Sequence, residues 1–401
     1  ATLSVSVFPN NPLGSGPLTG PLPMGIASYG LTNQSGVVDP YAVASTDVIG
    51  LASVSSLQAY NASASSVGSN PSGATLQLNS MLVVDEGGAA NQVYWCQNTP
   101  DFVTATSQLA MSDNVWNASR SGVLTNDSVT SQGGAGYVST LLQNGTTLYF
   151  YAVVESNSTY TLPLGLVLLM NATAEPGTGV LVQFGAKVAG GSISLGRATD
   201  WFDNVTIHDP GARSAYFATD GNYSTPLGNF YDTELVFAGE GGGESTNFTS
   251  LSASLGLFYA NGTSPVMSAF PSYFSFGRDT AEAAYNLRVS YLGNGKASLA
   301  VGSPNYTYLG AASGAYSLAA VEASLNFPGS PANSTTTSAS TTAASTLTSA
   351  STASRSTTAG PGGIPEFPFQ ILAASAAVVL IALAYLAIRR RSLSSDFAKR
   401  L

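Results

Sequence analysis

Three Asn-Gly pairs constrain this chain more than any other feature. Each sits between apolar or alternating runs: GYVSTLLQNGTTLYFYAVVE at 136–155, LGLFYANGTSPVM at 255–267 and LRVSYLGNGKASLAV at 287–301. A tight hairpin turn of this kind needs positive φ at both central positions, which Asn and Gly tolerate best. The three turns therefore predict three antiparallel hairpins. Strand-like runs continue throughout residues 60–327, and no long soluble segment shows a helical apolar period. Val, Thr, Tyr and Phe are plentiful while Glu, Lys and Arg are scarce, which suits pleated, half-buried surfaces. The expected class is all-β, built from sandwiches of the jelly-roll or lectin-like kind.

A faint internal repeat suggests how many sandwiches. LQLNSMLVV at 76–84 is followed by DEGGAAN, then QVYWCQN, then DNVWN at 113–117. LPLGLVLLM at 162–170 is followed by NATAEPGTG, then VLVQFGAKV, then DNVTI at 203–207. Duplication would give two tandem units, 1–155 and 156–327. Strand–turn–strand patterns also recur in β-proteins without duplication.

The C-terminal part reads differently. Residues 330–359 form a Ser/Thr/Ala tract with almost nothing to bury, the composition of an O-glycosylated stalk. The stalk is placed at 328–365 and a membrane helix at 366–388, whose run FQILAASAAVVLIALAYLAI at 369–388 is uncharged and long enough to span a bilayer. Arg389, Arg390 and Arg391 follow at once, so the positive-inside rule places 389–401 in the cytoplasm and the body outside. Asn-x-Ser/Thr sequons agree with an outside location: Asn33, Asn61, Asn117, Asn126, Asn144, Asn157, Asn171, Asn204, Asn222, Asn247, Asn261, Asn305 and Asn333. No signal-peptide core opens the chain, so position 1 reads as a mature N-terminus after cleavage. The expected location is the cell surface, with partners that are polypeptides, covalently attached glycans and the lipid bilayer.

Charge narrows the function classes. Charged residues are only 9% of the chain, against about 25% in ordinary globular proteins. Residues 1–328 hold 20 Asp or Glu and seven Lys or Arg, an acidic balance that argues against a nucleic-acid partner. In strong acid the carboxylates neutralise and little self-repulsion remains, which suits a protein that stays folded there. A sugar-coated surface protein using Ser and Thr for solubility fits the same composition. Cys96 is the only cysteine, so there is no internal disulfide, and one cysteine with one histidine excludes the usual His/Cys zinc sites. An oxygen-ligand calcium site stays open on composition, although EGGGE at 240–244 lacks the ligand spacing of a recognisable calcium loop; no other cofactor is expected.

Seven segments occur in an order that resembles the thermopsin family of archaeal acid proteases. They are PMGIASYGL at 23–31, LQLNSMLVV at 76–84, VYWCQN at 93–98, DNVWN at 113–117, WFDNVTI at 201–207, TELVFAGEGGGESTNF at 233–248 and GRDTAEAAYNL at 277–287. The tail resembles the C-terminal anchors of archaeal surface proteins. The resemblance implies peptide-bond hydrolysis in acid, outside the cell and without a metal. It transfers no catalytic residue position by position, so candidates come from chemistry.

Acid removes several mechanisms. A Ser–His–Asp triad needs a neutral imidazole, and a cysteine nucleophile needs a histidine partner. His208 therefore reads as a surface residue beside Asp209, which itself precedes Pro210 as turn chemistry. Two carboxyls sharing one proton do work in acid: one takes a proton from water, the other polarises the carbonyl. The Asp-Thr/Ser-Gly loops of pepsin-like enzymes are absent, and a glutamate–glutamine pairing on a sandwich stays open as a variant.

Four candidates follow. Asp113 and Asp203 occupy matching places in the repeat. Glu234 begins an apolar strand running into a glycine-rich loop suited to close approach of a peptide. Glu282 lies in DTAE, where Asp279 reads as an ion-pair partner of Arg278. Each has a structural alternative, since Asp-Asn at a strand end commonly caps a turn. Alternation sets Trp201, Asp203, Val205 and Ile207 on one face and Asn204 on the other, so Asp203 needs a buried partner. The expected activity is a membrane-anchored acid endopeptidase; the rival reading is a non-catalytic, glycosylated surface module.

Overall fold

A computed structural model describes residues 21–328, apart from 35–36, 62–70, 89–90, 120–123, 125–127, 132–135, 144–145, 155–157, 190–200, 222–230, 241–243, 262–265 and 281. The stalk, the membrane helix and the basic tail expected after residue 328 lie outside the described residues. Among the described residues no helix is long and apolar enough to cross a membrane.

The hairpins form where the Asn-Gly pairs place them. Leu287–Gly293 pairs antiparallel with Lys296–Val301, and the turn residues Asn294 and Gly295 have φ of 52° and 75°. Tyr137–Gln143 pairs with Thr146–Val154, and Phe258 pairs with Ala269 across the third turn.

The longer strands are β1 (Met24–Ser28), β2 (Asp47–Tyr60), β3 (Gly73–Asp85), β4 (Gln92–Val103), β5 (Gln108–Asn117), β6 (Tyr137–Gln143), β7 (Thr146–Val154) and β8 (Leu164–Glu175). They continue with β9 (Gly179–Ala189), β10 (Trp201–His208), β11 (Thr233–Ala238), β12 (Ser245–Ala260), β13 (Ser272–Phe276), β14 (Leu287–Gly293) and β15 (Lys296–Val301). Among the described residues a 12-stranded sheet contains the run β6-β7-β5-β4-β3-β11-β1-β13, and an 11-stranded sheet contains the run β14-β15-β12-β2-β8-β9-β10, the remaining strands of each being short.

The two sheets bury one continuous core. Leu78, Cys96, Val115, Leu235 and Phe237 from the first pack with Leu166, Leu168, Val182, Val205 and Leu257 from the second. Each fully buried side chain of this size contributes about 1.5–3 kcal/mol. Gly50 on β2 makes room for the contact: a Cβ there would sit 2.8 Å from Leu235 Cδ1. The outer face of the 11-stranded sheet is partly covered by a short helix, α1 (Leu318–Ser324), whose Val321 packs over Ile49, Leu51 and Phe258. Ser317 caps it by accepting from the Ala320 N–H.

The expected tandem sandwiches do not form. The first sheet inserts β11 between β3 and β1, and the second inserts β2 between β12 and β8, so both sheets mix strands from the two halves. The repeat itself survives in another form. Its first copy is the meander β3-β4-β5 in one sheet and its second is β8-β9-β10 in the other. The two meanders face each other: Asn98 on β4 donates to the carbonyls of Leu169 on β8 and Gly185 on β9, at 3.0 and 2.8 Å. Neither copy has a second apolar sheet of its own, so each buries its inner face against the other.

Candidate active site

β11 positions the principal cluster. Leu235 and Phe237 point into the core, so Glu234 points to the outer face of its sheet, as does Asp232 two residues earlier. The Asp232 backbone is held from β3, its carbonyl accepting from Ser80 Oγ at 3.1 Å and from the Met81 N–H at 3.4 Å. Glu234 stands between Ala27 on β1 and Asn79 on β3. Beyond it lies Gly277, where a Cβ would fall 2.5 Å from Glu234 Oε2. A small residue is needed there to leave the carboxylate its space.

The two buried acids have opposite surroundings. Donors surround Glu234: Oε1 accepts the Arg278 backbone N–H at 2.6 Å, and Oε2 accepts Asn79 Nδ2 at 3.4 Å. The Tyr29 hydroxyl divides its proton between Glu234 Oε1 at 3.3 Å and the Phe276 carbonyl at 2.9 Å. Burial first, then the Glu234 and Asp232 charges, keep that phenol neutral well beyond its usual range.

Asp232 has no donor within reach of either oxygen among the described residues. Its neighbours are instead the carboxyls of Glu234 and Asp279, whose charges act on it. Between acceptors it must carry the proton itself. Burial, then the Asp279 and Glu234 charges, raise its pKa well above the usual carboxylate range. Asp232 is thus a proton donor placed against a carboxylate held by donors, with Asp279 as a third member. Asp232 and Glu234 are fully buried, whereas Arg278 and Asp279 are half-buried.

The family model described as Thermopsin matches residues 13–287. Thermopsin of Sulfolobus acidocaldarius is 36% identical over 294 residues, covering 72% of this chain and 82% of the relative. The chain belongs to the thermopsin family. It is a thermopsin-like acid peptidase, and Tyr29, Asn79, Asp232, Glu234, Gly277 and Asp279 all fall inside the thermopsin match.

Only one of the four carboxyls singled out from the sequence sits in this cluster. Asp113 lies on the inner face of β5, opposite Asn98, with the thickness of the sheet between it and Glu234. Asp203 lies on the inner face of β10, where Oδ2 accepts from Tyr151 Oη at 2.6 Å and Oδ1 from the Asn204 N–H at 2.8 Å. Asp203, Val205 and Ile207 share the inner face as alternation predicts, and Asn204 on the other accepts from Gln183 at 2.9 Å; Trp201 does not join them, because a bulge puts Phe202 in the core and pairs Trp201 with Gly185 on the opposite face. Glu282 accepts from Thr280 Oγ1 and its charge acts on Asp101, toward the other end of the outer face.

Sequence reasoning missed Asp232 and the part played by Asp279. The legible signal was Asp-Thr-Glu at 232–234, two acids on one face of an apolar strand. Asp279, read as a partner for Arg278, is also a neighbour of Asp232, on which its charge acts. Other expectations fare variously. His208 is exposed, 3.2 Å from Thr130 Oγ1, and Asp209 closes its turn by accepting the Gly211 N–H at 3.1 Å. Cys96 is buried, which pushes its thiol upward and away from reactivity. Among the described residues no group of three or more His, Cys, Asp or Glu is arranged to hold a metal ion.

The sequons divide by burial. Asn61 and Asn117 are only 2% and 3% exposed, which leaves no room for a sugar on the folded chain. Asn305 is engaged twice, by the N–H and the carbonyl of Val289. Asn171 donates to Asp47 at 2.8 Å. Asn247 is half-buried and Asn261 exposed, while Asn33 lies on the short strand Leu31–Gln34. Asn126, Asn144, Asn157, Asn222 and Asn333 lie outside the described residues.

Proposed function

We propose that this thermopsin-like chain hydrolyses peptide bonds in acid with Asp232 and Glu234 as its proton-sharing pair. The observation that carries this reading is a buried carboxyl with no donor among the described residues, set beside a second carboxyl ringed by donors. Ionised Glu234 takes a proton from water as the water oxygen attacks the scissile carbonyl carbon. Protonated Asp232 gives its proton to the carbonyl oxygen. Glu234 then passes its proton to the amide nitrogen, the C–N bond breaks, and the carbonyl re-forms as its hydroxyl proton returns to Asp232. Both groups end as they began. Asp279 supports the proton on Asp232, because adjacent like charges cannot all be ionised in a desolvated site.

Substrate would approach on the half-buried side, at Arg278 and Asp279. An apolar cluster on the same outer face, Met81, Val93, Trp95 and Ala118 with Trp116 and Tyr231 against it, supports a subsite for hydrophobic side chains next to Asp232. The body is proposed to act outside the cell, glycosylated at exposed sequons and tethered by the apolar run at 369–388 through the Ser/Thr tract. Detergent-dependent release from a membrane pellet tests the tether.

The main test incubates the full chain with a denatured protein at about pH 3, near the range where carboxyl pairs work. Wild type should cleave, while Asp232→Asn and Glu234→Gln, shown folded by circular dichroism, should not. Full cleavage by both folded variants would overturn the site assignment.

A further inference from the structure

Glu234 lies at one end of a row of buried polar side chains. The row occupies the outer face of β3 and β4: Thr75, Gln77 and Asn79 alternate along β3, and Gln97 stands opposite Asn79. Thr75, Gln77, Asn79 and Gln97 are all at least nine-tenths buried. Buried amides on a sheet surface are costly unless every donor and acceptor is used. Here they are used in one direction.

The direction starts at a backbone carbonyl. Gly239, just past the end of β11, offers only an acceptor, and Thr75 Oγ1 donates to it at 2.7 Å. That spends the only Thr75 hydroxyl proton, so Thr75 can do nothing further except accept. Gln77 Nε2 donates to it at 3.0 Å, which turns Gln77 Oε1 the other way. Gln77 Oε1 then accepts from both Asn79 Nδ2 and Gln97 Nε2, each at 3.3 Å. Gln97 uses its second N–H on Asn79 Oδ1 at 3.1 Å. With its oxygen occupied, Asn79 has one N–H left, and that one points at Glu234 Oε2 at 3.4 Å.

Flipping any amide breaks the whole set. A reversed Asn79 would aim Oδ1 at Gln77 Oε1 and at the Glu234 carboxylate, and would strand the Gln97 donor. A reversed Gln77 would aim Nε2 at two donors. Each stranded buried group costs about 1–3 kcal/mol. The orientation of Asn79 is therefore dictated by Thr75, which does not touch Glu234.

We propose that Thr75, Gln77, Gln97 and Asn79 form a positioning relay that fixes Glu234 as the base of the proton-sharing pair. The inference rests on the proposed peptidase reading and adds to it a reason for the division of labour. Two buried carboxyls in contact could hold their one proton on either member. The relay always presents an N–H to Glu234, the arrangement a proton acceptor needs, while Asp232 meets no donor among the described residues. Thr75 is a positioning residue, since it acts only through other side chains.

The test removes one hydroxyl. Thr75→Val keeps the shape and frees Gln77 to reverse; Thr75→Ser keeps the hydroxyl and should restore wild-type behaviour. In Thr75→Val, kcat should fall by about tenfold, KM should stay within about twofold, and the acid limb of kcat/KM should move to higher pH. A merely structural role would lower the denaturation midpoint and leave the pH profile in place, which would overturn the proposal. Gln97→Met, which removes the donor to Asn79 Oδ1, provides the same reading if Thr75→Val folds poorly.

A second readout does not depend on activity. The carboxylate infrared band lost in Glu234→Gln relative to wild type reports ionised Glu234. At a fixed acid pH that band should weaken in Thr75→Val and return in Thr75→Ser. An unchanged band sinks the relay, whereas an inactive wild type with a responsive band sinks the peptidase site and leaves the relay standing.

Discussion

Two aspartates in this molecule, Asp203 and Asp232, look alike by burial and differ in what faces them. Asp203 lies between the sheets and receives two donors, Tyr151 Oη and the Asn204 N–H. Asp232 lies on the outer face and receives none among the described residues, only the neighbouring charges of Glu234 and Asp279. The first arrangement ties an acceptor across the two sheets. The second leaves a proton that can move. Desolvation marks both places, so it cannot by itself identify a reaction centre; the polarity of the partners does that.

One substitution should separate the two with opposite results. An asparagine amide donates as a protonated carboxyl does, so Asp232→Asn still presents a donor to Glu234 and Asp279 but cannot release a proton. The variant should fold normally and lose about 10²–10⁴-fold in kcat/KM. Glu234→Gln should lose as much. Asp203→Asn puts an NH₂ where both neighbours already donate, and should cost about 1–3 kcal/mol of stability with kcat/KM within a few-fold of wild type. Cleavage assays paired with denaturant titrations check both. A folded but inactive Asp203→Asn would erase the distinction.

Gly277→Ala sharpens the comparison at smaller scale. The added Cβ would meet Glu234 Oε2 at 2.5 Å and push the carboxylate from its donors. Displacements of this order can cost about 10²-fold in rate. The expected outcome is a fall of up to that size, with the melting temperature moving little. Wild-type kinetics would mean that the Glu234 position is not critical.

Much of this was legible in the sequence, and what was not has physical causes. Asn294–Gly295 announced its hairpin because two positive-φ residues in a row suit one kind of turn. Alternation correctly put Asp203 inward and Asn204 outward. The partner of Asp203 was not legible, because Tyr151 is 52 residues away and belongs to the facing sheet. The repeat was visible in the positions of Asp113 and Asp203, but its arrangement was not. Whether two meanders build one sandwich or begin two depends on where β2 and β11 insert, and no local pattern encodes that. Asp232 was one residue ahead of the recognised TELVFAGEGGGE run, and its importance depends on Asp279 arriving from another segment.

The smallest expected effect concerns a third acid, Asp101, on the same outer face. Its carboxyl accepts from Ser112 Oγ at 2.7 Å, which lowers its pKa, but burial, foremost, and the charges of Glu240 and Glu282 raise it from 3.8 to about 8. The folded chain therefore binds this proton more tightly than the unfolded chain does. Its contribution to stability is fully present below pH 3.8 and is lost as pH rises through about 8. Asp232, raised for similar reasons, contributes with the same sign. Asp101 is half-buried, so water screens part of the effect and the slope it adds is modest. Urea midpoints measured from acid to mildly alkaline pH should fall with rising pH in wild type and fall less steeply in Asp101→Asn. An unchanged slope would place the acid preference of the fold with Asp232 and its neighbours, and would make the outer face a site with one proton-holding cluster instead of two.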